Sequence, residues 1–430
     1  MPIATQRAAT STRTGDLVDP CAMIRTRRTE VEVGLFTGGI DRHYAYGLTM
    51  ALISKGMRVD VIGSDGVDSA EMHTTPGVNF LKMQQNNAPG TSKMRRVWRL
   101  LAYYVRLIRY SWAARPKVFH ILWNNKLEYF DRTLLMLYYR LLGKKVVFTA
   151  HNVNTAKRDA KDSRLNRLSL KIQYQLADHI FVHTKKMKDE LVEEFGARSE
   201  AVTVIPYGIN NAVPNTELTP TEAKQRLGIG SADRVVLFFG KIRPSKGLQY
   251  LVGAFQLVAL KHPGYRLIVA GQLVKGSEGH LRDIRGAINS HDSRDRVILR
   301  IGFVPDSEAE LYFKAADVLA LPYSDIFQSG VLFMGYAYGL PVIASDVGSF
   351  REDVIEEKTG FVCRPCDPVD LATTLEKYFD SDLFKSLDSR RLEIRDYVCR
   401  AHSWDAVGEM TRNVYTRLLE TSRMCVLSDQ

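Results

Sequence analysis

Arg234-Val-Val-Leu-Phe-Phe-Gly240-Lys-Ile-Arg243-Pro-Ser-Lys246-Gly247 reads as a buried strand that stops at a glycine, then a short basic loop, then the start of a helix. An apolar run without polar alternation is what a parallel strand requires when helices cover both faces of its sheet. Gly240 permits a tight turn, and Arg243 and Lys246 can aim charged donors at one anionic group such as a diphosphate. The Gly-Lys-Ser/Thr ending of a Walker loop is absent. Taken alone, a merely solvated basic loop would look the same.

Outward from this stretch the pattern repeats. Residues 234–240, 265–271, 296–303, 318–323 and 341–345 read as strands alternating with helices, and so do 31–36, 58–63, 118–123, 145–151 and 179–184. Two α/β doubly wound, Rossmann-like domains follow, and in such sheets ligands bind beyond the strand carboxyl ends. The expected division is a flexible tail at 1–30, a first domain at 31–208, a linker region at 209–232, a second domain at 233–398, and C-terminal helices at 399–430. The stretch Ile205–Asn215 that leads into it is turn-rich, with Pro206, Gly208, Asn210, Asn211 and Pro214. Two domains suit a length of 430 residues.

A second anion cradle is expected after the strand ending at Tyr323. Ser324-Asp325-Ile-Phe-Gln328-Ser329-Gly330-Val331-Leu332 is a polar, glycine-containing loop that runs into a helix. The first N–H groups of a helix and its dipole attract anions. Ser329 as a simple helix cap is the competing reading.

From Gly240 to Pro365 the chain resembles the donor half of the retaining glycosyltransferase family four, whose fold is called GT-B. The resemblance rests on the G-x-x-R-x-x-K-G loop, Val269-Ala-Gly271, Ile301-Gly302-Phe303-Val304-Pro305, Ala315-Ala-Asp317, Tyr338-Gly339-Leu-Pro341-Val-Ile-Ala-Ser-Asp346-Val-Gly348 and Thr359-Gly360-Phe-Val. Thr149-Ala-His151-Asn152-Val153 and Val204-Ile-Pro-Tyr207-Gly208 extend it into the first half, so that it covers about residues 31–420. It implies that Arg243 and Lys246 hold the diphosphate of a nucleotide-sugar donor beside Gly240. It implies further that Gln328, Ser329, Gly330, Val331 and Leu332 close around that group. Gly302, Phe303 and Val304 would meet the base, and His151 would reach the donor sugar. The acceptor would lie against Gly38, Gly39, Asp41 and Asn152.

The family's two glutamates, eight residues apart, fall here on Ile326 and Met334. Asp325 is the neighbouring carboxylate available for the first, and the Gln-Ser-Gly form resembles a branch of the same family. The implied activity is hexosyl transfer with retention, in polysaccharide or glycoconjugate synthesis, onto a saccharide or lipid-linked acceptor. No cofactor and no metal are expected. A catalytically silent GT-B binding subunit and a sugar-nucleotide isomerase are the alternatives. A nicotinamide-dependent dehydrogenase is disfavoured because G-x-G-x-x-G follows neither leading strand.

The net charge of +11 calls for an anionic partner, for which a nucleotide diphosphate or an acidic lipid surface serves, and nucleic acid is not expected. Residues 93–112 read as one helix, with Arg95, Arg99, Arg106 and Arg109 along one direction. Val97, Trp98, Leu101, Tyr104, Val105, Ile108 and Trp112 lie opposite. Such a helix suits an anionic membrane surface, or else covers the sheet with a solvated arginine face. Five scattered cysteines and the lack of a long apolar run or signal segment point to the cytoplasm, with peripheral contact on the inner face of the membrane.

Overall fold

The computed structural model describes residues 31–428 apart from position 40 and stretches 85–91, 159–160 and 210–215. The expected tail at 1–30 and the linker residues Asn210, Asn211 and Pro214 lie outside the described residues. The first seven strands are β1 (Glu32–Phe36), β2 (Arg58–Ser64), β3 (Val78–Gln84), β4 (Val118–Ile121), β5 (Lys145–Ala150), β6 (His179–Val182) and β7 (Val202–Val204). They form one sheet in the order β3-β2-β1-β4-β5-β6-β7. Six more follow: β8 (Arg234–Phe239), β9 (Tyr265–Gly271), β10 (Val297–Ile301), β11 (Val318–Leu321), β12 (Val342–Ser345) and β13 (Gly360–Cys363). These make a second sheet, β10-β9-β8-β11-β12-β13.

Every pairing within the two sheets is parallel. Each sheet is therefore doubly wound, and its order reverses once, between β1 and β4 in the first and between β8 and β11 in the second. Loops leaving the two central strands of each sheet diverge there and open a crevice at the carboxyl ends. Strands β4, β6, β11 and β12 are buried along their whole length, because helices cover both faces.

Within the stretch expected as linker region, the helix Pro220–Arg226 packs into the core of the second sheet through Ala223, with Ile209 and Ile229 beside it. Its Lys224 Nζ lies 2.9 Å from the Asp317 carboxylate. At the other end of the chain, the helix Trp404–Ser428 lies on the first sheet's side, where Val407, Val414 and Tyr415 join the core around β1. Gly47 in the helix Arg42–Ser54 makes this seat possible, since a Cβ there would fall 2.1 Å from the Trp404 ring. Tyr415 Oη also meets His120 Nδ1 at 2.5 Å, and His120 Nε2 meets Thr149 Oγ1 at 2.7 Å.

The helix Lys93–Ala113 corrects one expectation. Its inward face is Tyr103, Tyr104, Leu107 and Ser111. The row Val97, Trp98, Leu101, Val105, Ile108 and Trp112 does not cover the sheet; it is exposed, with both tryptophans well out in solvent. At ~100° per residue, the buried stripe, the exposed apolar stripe and the arginine stripe sit roughly a third of a turn apart. A reading with two faces merged the two apolar stripes into one.

Candidate functional site

Arg243 and Lys246 sit in the loop after β8, and Tyr323 to Ser329 in the loop after β11, so the two stretches border the crevice of the second sheet. Ser324 N donates to Ser245 O at 3.1 Å and ties one loop to the other. Tyr323 is the common centre. Lys246 Nζ stands 3.6 Å from its ring centroid. Burial pushes the Tyr323 phenol up to about 12, opposed by the Ser329 hydroxyl and by the Arg243 charge. The structure thus gathers Arg243, Lys246 and Ser329 around one buried ring.

The helix Gly330–Ala337 begins at this point, and Ser329 makes no side-chain cap to it. The reading of Ser329 as a simple side-chain cap is thereby overturned. Gly240 packs against the same turn, since a Cβ on it would lie 3.3 Å from Val331 Cγ2. Gln328 Oε1 and Ser245 Oγ are buried without hydrogen-bond partners. Buried oxygens of this kind are costly unless a ligand or water meets them. Gly302 N is bonded to Gly271 O at 2.9 Å, two strands from β8, and Phe303 beside it is 70% exposed while Val304 packs on the core. Asp325 is exposed and opens on a different cavity of about 200 Å³ between the halves, walled also by Lys157, Lys186 and Glu190.

Across the cleft, His151 directly follows β5 and stacks on Trp123 at 4.0 Å with the rings 5° from parallel. Tyr44 meets it edge-on at 4.5 Å. A chain of hydrogen bonds fixes its tautomer. His183 Nδ1 faces Ile205 O at 3.2 Å, and a carbonyl only accepts, so Nδ1 carries the proton. Burial holds His183 down to about 4, so the ring is neutral and its Nε2 accepts from His151 Nδ1 at 2.9 Å. His151 is held well below the usual histidine range by burial and then by His183. Its Nε2 is left as a buried lone pair with no protein partner.

Gly38 approaches this group closely, because a Cβ on it would lie 2.8 Å from Trp123 Cβ. Asp41 is used internally: it caps Tyr44 N at 3.0 Å and accepts from Tyr207 Oη at 3.1 Å. Tyr207 then stacks on Phe333 at 5.5 Å, and a Cβ on Gly330 would lie 3.5 Å from Tyr207 Oη. Asp41, Tyr207 and Gly330 therefore link the first domain to the helix start of the second. Asn152 follows His151 and is half-buried. Sequence reasoning missed Tyr44, Trp123, His183, Tyr207 and Tyr323 as parts of the site. Their signal was weak: an aromatic or imidazole near a strand end, or in Tyr44's case in the first turn of a helix, looks like core.

Two parallel-sheet, Rossmann-like domains facing each other define the GT-B architecture. Residues 37–213 match the sequence profile described as Glycosyltransferase Family 4, and residues 233–381 that of Glycosyl transferases group 1. Each half of the chain thus matches a glycosyltransferase profile. It is 28% identical over 262 residues to a D-inositol 3-phosphate glycosyltransferase of Streptomyces avermitilis, which is 59% of this chain and 54% of that one. An uncharacterized glycosyltransferase of Methanocaldococcus jannaschii is 26% identical over 243 residues, 55% of this chain and 59% of its own. The chain spans little more than half the length of these curated relatives.

Among solved structures, a sucrose-phosphate synthase from Thermosynechococcus elongatus shares the fold with a TM-score of 0.72 at 19% identity, covering 91% of this chain and all 100% of that one. Anabaena HepE in complex with UDP and glucose has a TM-score of 0.70 at 15% identity, covering 90% and 99%.

Proposed function

We propose that the protein transfers a hexosyl group from a nucleotide-diphosphate sugar to a saccharide or lipid-linked acceptor, with retention, in polysaccharide or glycoconjugate synthesis. The observation that carries this is the meeting of Arg243, Lys246 and an uncapped helix start around Tyr323 at the strand reversal. As the bond from the anomeric carbon to the diphosphate lengthens, its electron pair passes to the diphosphate oxygen. Fixed cations and helix N–H groups stabilise that growing charge more than they stabilise the ground state. Gly240 and residues 328–332 enclose the diphosphate, residues 302–304 border the base, and Asp325 and Gln328 are the polar residues left to meet donor hydroxyls. His151 Nε2 accepts a hydrogen bond from a donor-sugar hydroxyl, the role its lone pair suits. The diphosphate oxygen takes the acceptor's proton, so that attack comes from the departing face. Gly38, Gly39, Asp41 and Asn152 form the acceptor side, Asp41 by holding the loop in shape. The division into domains at 31–208 and 233–398, with the C-terminal helices at 399–430 returning to the first, is part of this reading, because it lets the cleft close over the donor.

The test is turnover on a panel of UDP-, GDP- and ADP-sugars. Arg243→Ala and Lys246→Ala should each lower kcat by about 10²- to 10³-fold, the usual cost of a lost donor to developing charge. Full turnover by both variants refutes the assignment.

We also infer contact with an anionic membrane surface from the cytoplasmic side. In support, fourteen of the twenty exposed large apolar side chains among the described residues lie between Met94 and Leu168. All but Leu127 belong to adjoining helices, as the bond from Tyr138 Oη to Ile108 O at 3.3 Å and that from Arg132 to Asn166 Oδ1 at 2.9 Å show. None of the described helices is long and apolar enough to cross a membrane. Trp98→Ser/Trp112→Ser should lose pelleting with phosphatidylglycerol vesicles, and equal pelleting sinks the reading.

A further inference from the structure

The chain passes from the first core to the second between Ile205 and Ile209 and returns between Val398 and Val407, since Ile205 and Val407 lie in the core around β1 and Ile209 and Val398 in that of the second sheet. Tyr207, in the middle of the first passage, packs against both cores. We propose that Tyr207 is a positioning residue for sugar transfer, which couples the seat of the nucleotide diphosphate at the helix start Gly330 to the ring of His151. The inference rests on the donor reading and adds the residue through which the second domain sets the geometry of the first.

Three observations carry it. The first is that Tyr207 reaches both groups. On one side it stacks on Phe333 at 5.5 Å, 12° from parallel, and a Cβ on Gly330 would lie 3.5 Å from its Oη. On the other side its ring lies 5.1 Å from His183, 5.4 Å from Tyr44 and 6.3 Å from His151. His183 and Tyr44 are themselves in contact with His151, through the hydrogen bond of 2.9 Å and the edge contact of 4.5 Å. A shift of the helix start therefore reaches His151 through one ring and its neighbours, because close-packed interiors transmit displacement.

The second is that the two passages form one clasp. His402 Nδ1 faces Tyr207 O at 3.2 Å and, since a carbonyl only accepts, donates to it. Ile209 N in turn donates to His402 O at 3.1 Å. The His402 ring lies 4.5 Å from that of Phe333, so the Tyr207–Phe333 stack is held from both passages. A Cβ on Gly208 would fall 2.6 Å from the Trp404 ring, which leaves no room for one passage to slide past the other. Passages joined in this way act as a hinge, where a few residues absorb the change in backbone angles.

The third is the bond that sets the angle of the phenol. Tyr207 Oη donates to Asp41 Oδ2 at 3.1 Å, while Asp41 Oδ1 accepts from Tyr44 N at 3.0 Å. Burial and then Asp41 push the phenol well above its ordinary value, so it stays a neutral donor. Asp41 has a φ of 51°, in the left-handed region that a residue other than glycine takes where its surroundings require it. One carboxylate in that conformation orients both Tyr44 and Tyr207. Apolar contact that merely held two domains together would need neither the strained cap nor the hydroxyl.

The experiment follows His151 itself. Full-length protein carrying isotope-labelled histidine is titrated with UDP, GDP and ADP in turn, and the imidazole N–H signals of His151 and His183 are followed by NMR. Tyr207→Leu removes the stack, Tyr207→Phe keeps it and drops the hydroxyl, and Phe333→Leu removes the same stack from the second domain. Nucleotide affinity, Tm and turnover on the panel of UDP-, GDP- and ADP-sugars are measured on each and on the double leucine variant.

In the native chain the bound nucleotide should shift the His151 signal. In Tyr207→Leu and Phe333→Leu the signals should persist without that shift, with nucleotide affinity unchanged and kcat lower by about 10- to 100-fold, the cost of a small misplacement. The double variant should lose no more than the worse single, as residues acting through one contact do. Tyr207→Phe should keep the shift and most of kcat. No shift in the native chain, a shift that survives loss of the stack, losses that add, or Tyr207→Phe as slow as Tyr207→Leu overturns the role and leaves the donor reading standing. Should one leucine variant unfold, the other decides, and unfolding of both makes the stack structural and also overturns the role. If none of the three nucleotides binds the native chain, the donor reading falls and the role falls with it.

Discussion

At the residue scale, the site depends on groups whose protonation and direction are set by neighbours. The chain from Ile205 O through His183 to His151 leaves one lone pair on His151 Nε2. His183→Ala should let that ring turn or change tautomer, lowering kcat by about 10- to 100-fold, the scale seen when the group orienting a working histidine is removed. UDP affinity should stay as in the native chain; a matching loss of UDP affinity would show that His183 only supports the fold. His151 and its Asn152 neighbour were legible as strand-end residues of interest. The relay was not, because positions 151, 183 and 205 are brought together only by the order of β5, β6 and the chain after β7.

At the element scale, the helix Trp404–Ser428 is held by shape at its start and by a buried histidine near its middle. Gly47→Ala forces Trp404 out of its seat and should cost about 1–3 kcal/mol of stability, read as a lower Tm. His120 is pushed down to about 3 by burial and then by His179. The folded protein therefore keeps His120 neutral while the unfolded chain takes up a proton below about pH 6.5. Stability from this residue falls as pH drops from about 6.5 toward 3. His120→Gln should show a shallower decline of Tm between about pH 7 and pH 4 than the native chain, and an equal slope would remove His120 from the acid response. Ten strands were legible as apolar runs, whereas β3, β7 and β13 were not. All three lie at sheet edges, and β3, with only Met83 buried along its length, has no run to read.

At the scale of the whole molecule, the domains are joined by the Tyr207–Phe333 stack, with Tyr207 anchored in the first domain by its bond to Asp41. A nucleotide sugar bound between them should stabilise both together. At free ligand about 100 times its Kd the gain is about 2.7 kcal/mol, seen as one cooperative upward shift in thermal unfolding. Arg243→Ala should abolish that shift while keeping the unliganded Tm. No shift with any of the UDP-, GDP- or ADP-sugars would argue against a nucleotide in the cleft. By itself the sequence determined two parallel α/β domains and a basic, glycine-bearing loop after the first strand of the second, because strand runs, turns and helix starts are local properties of the chain. Only the tertiary structure decided which apolar stripe of the helix Lys93–Ala113 faces inward, which lone pair His151 keeps, and that Tyr323 gathers the second domain's charged groups. Those outcomes depend on contacts between residues far apart in sequence, and pairing across a sheet is not written in the spacing of either strand.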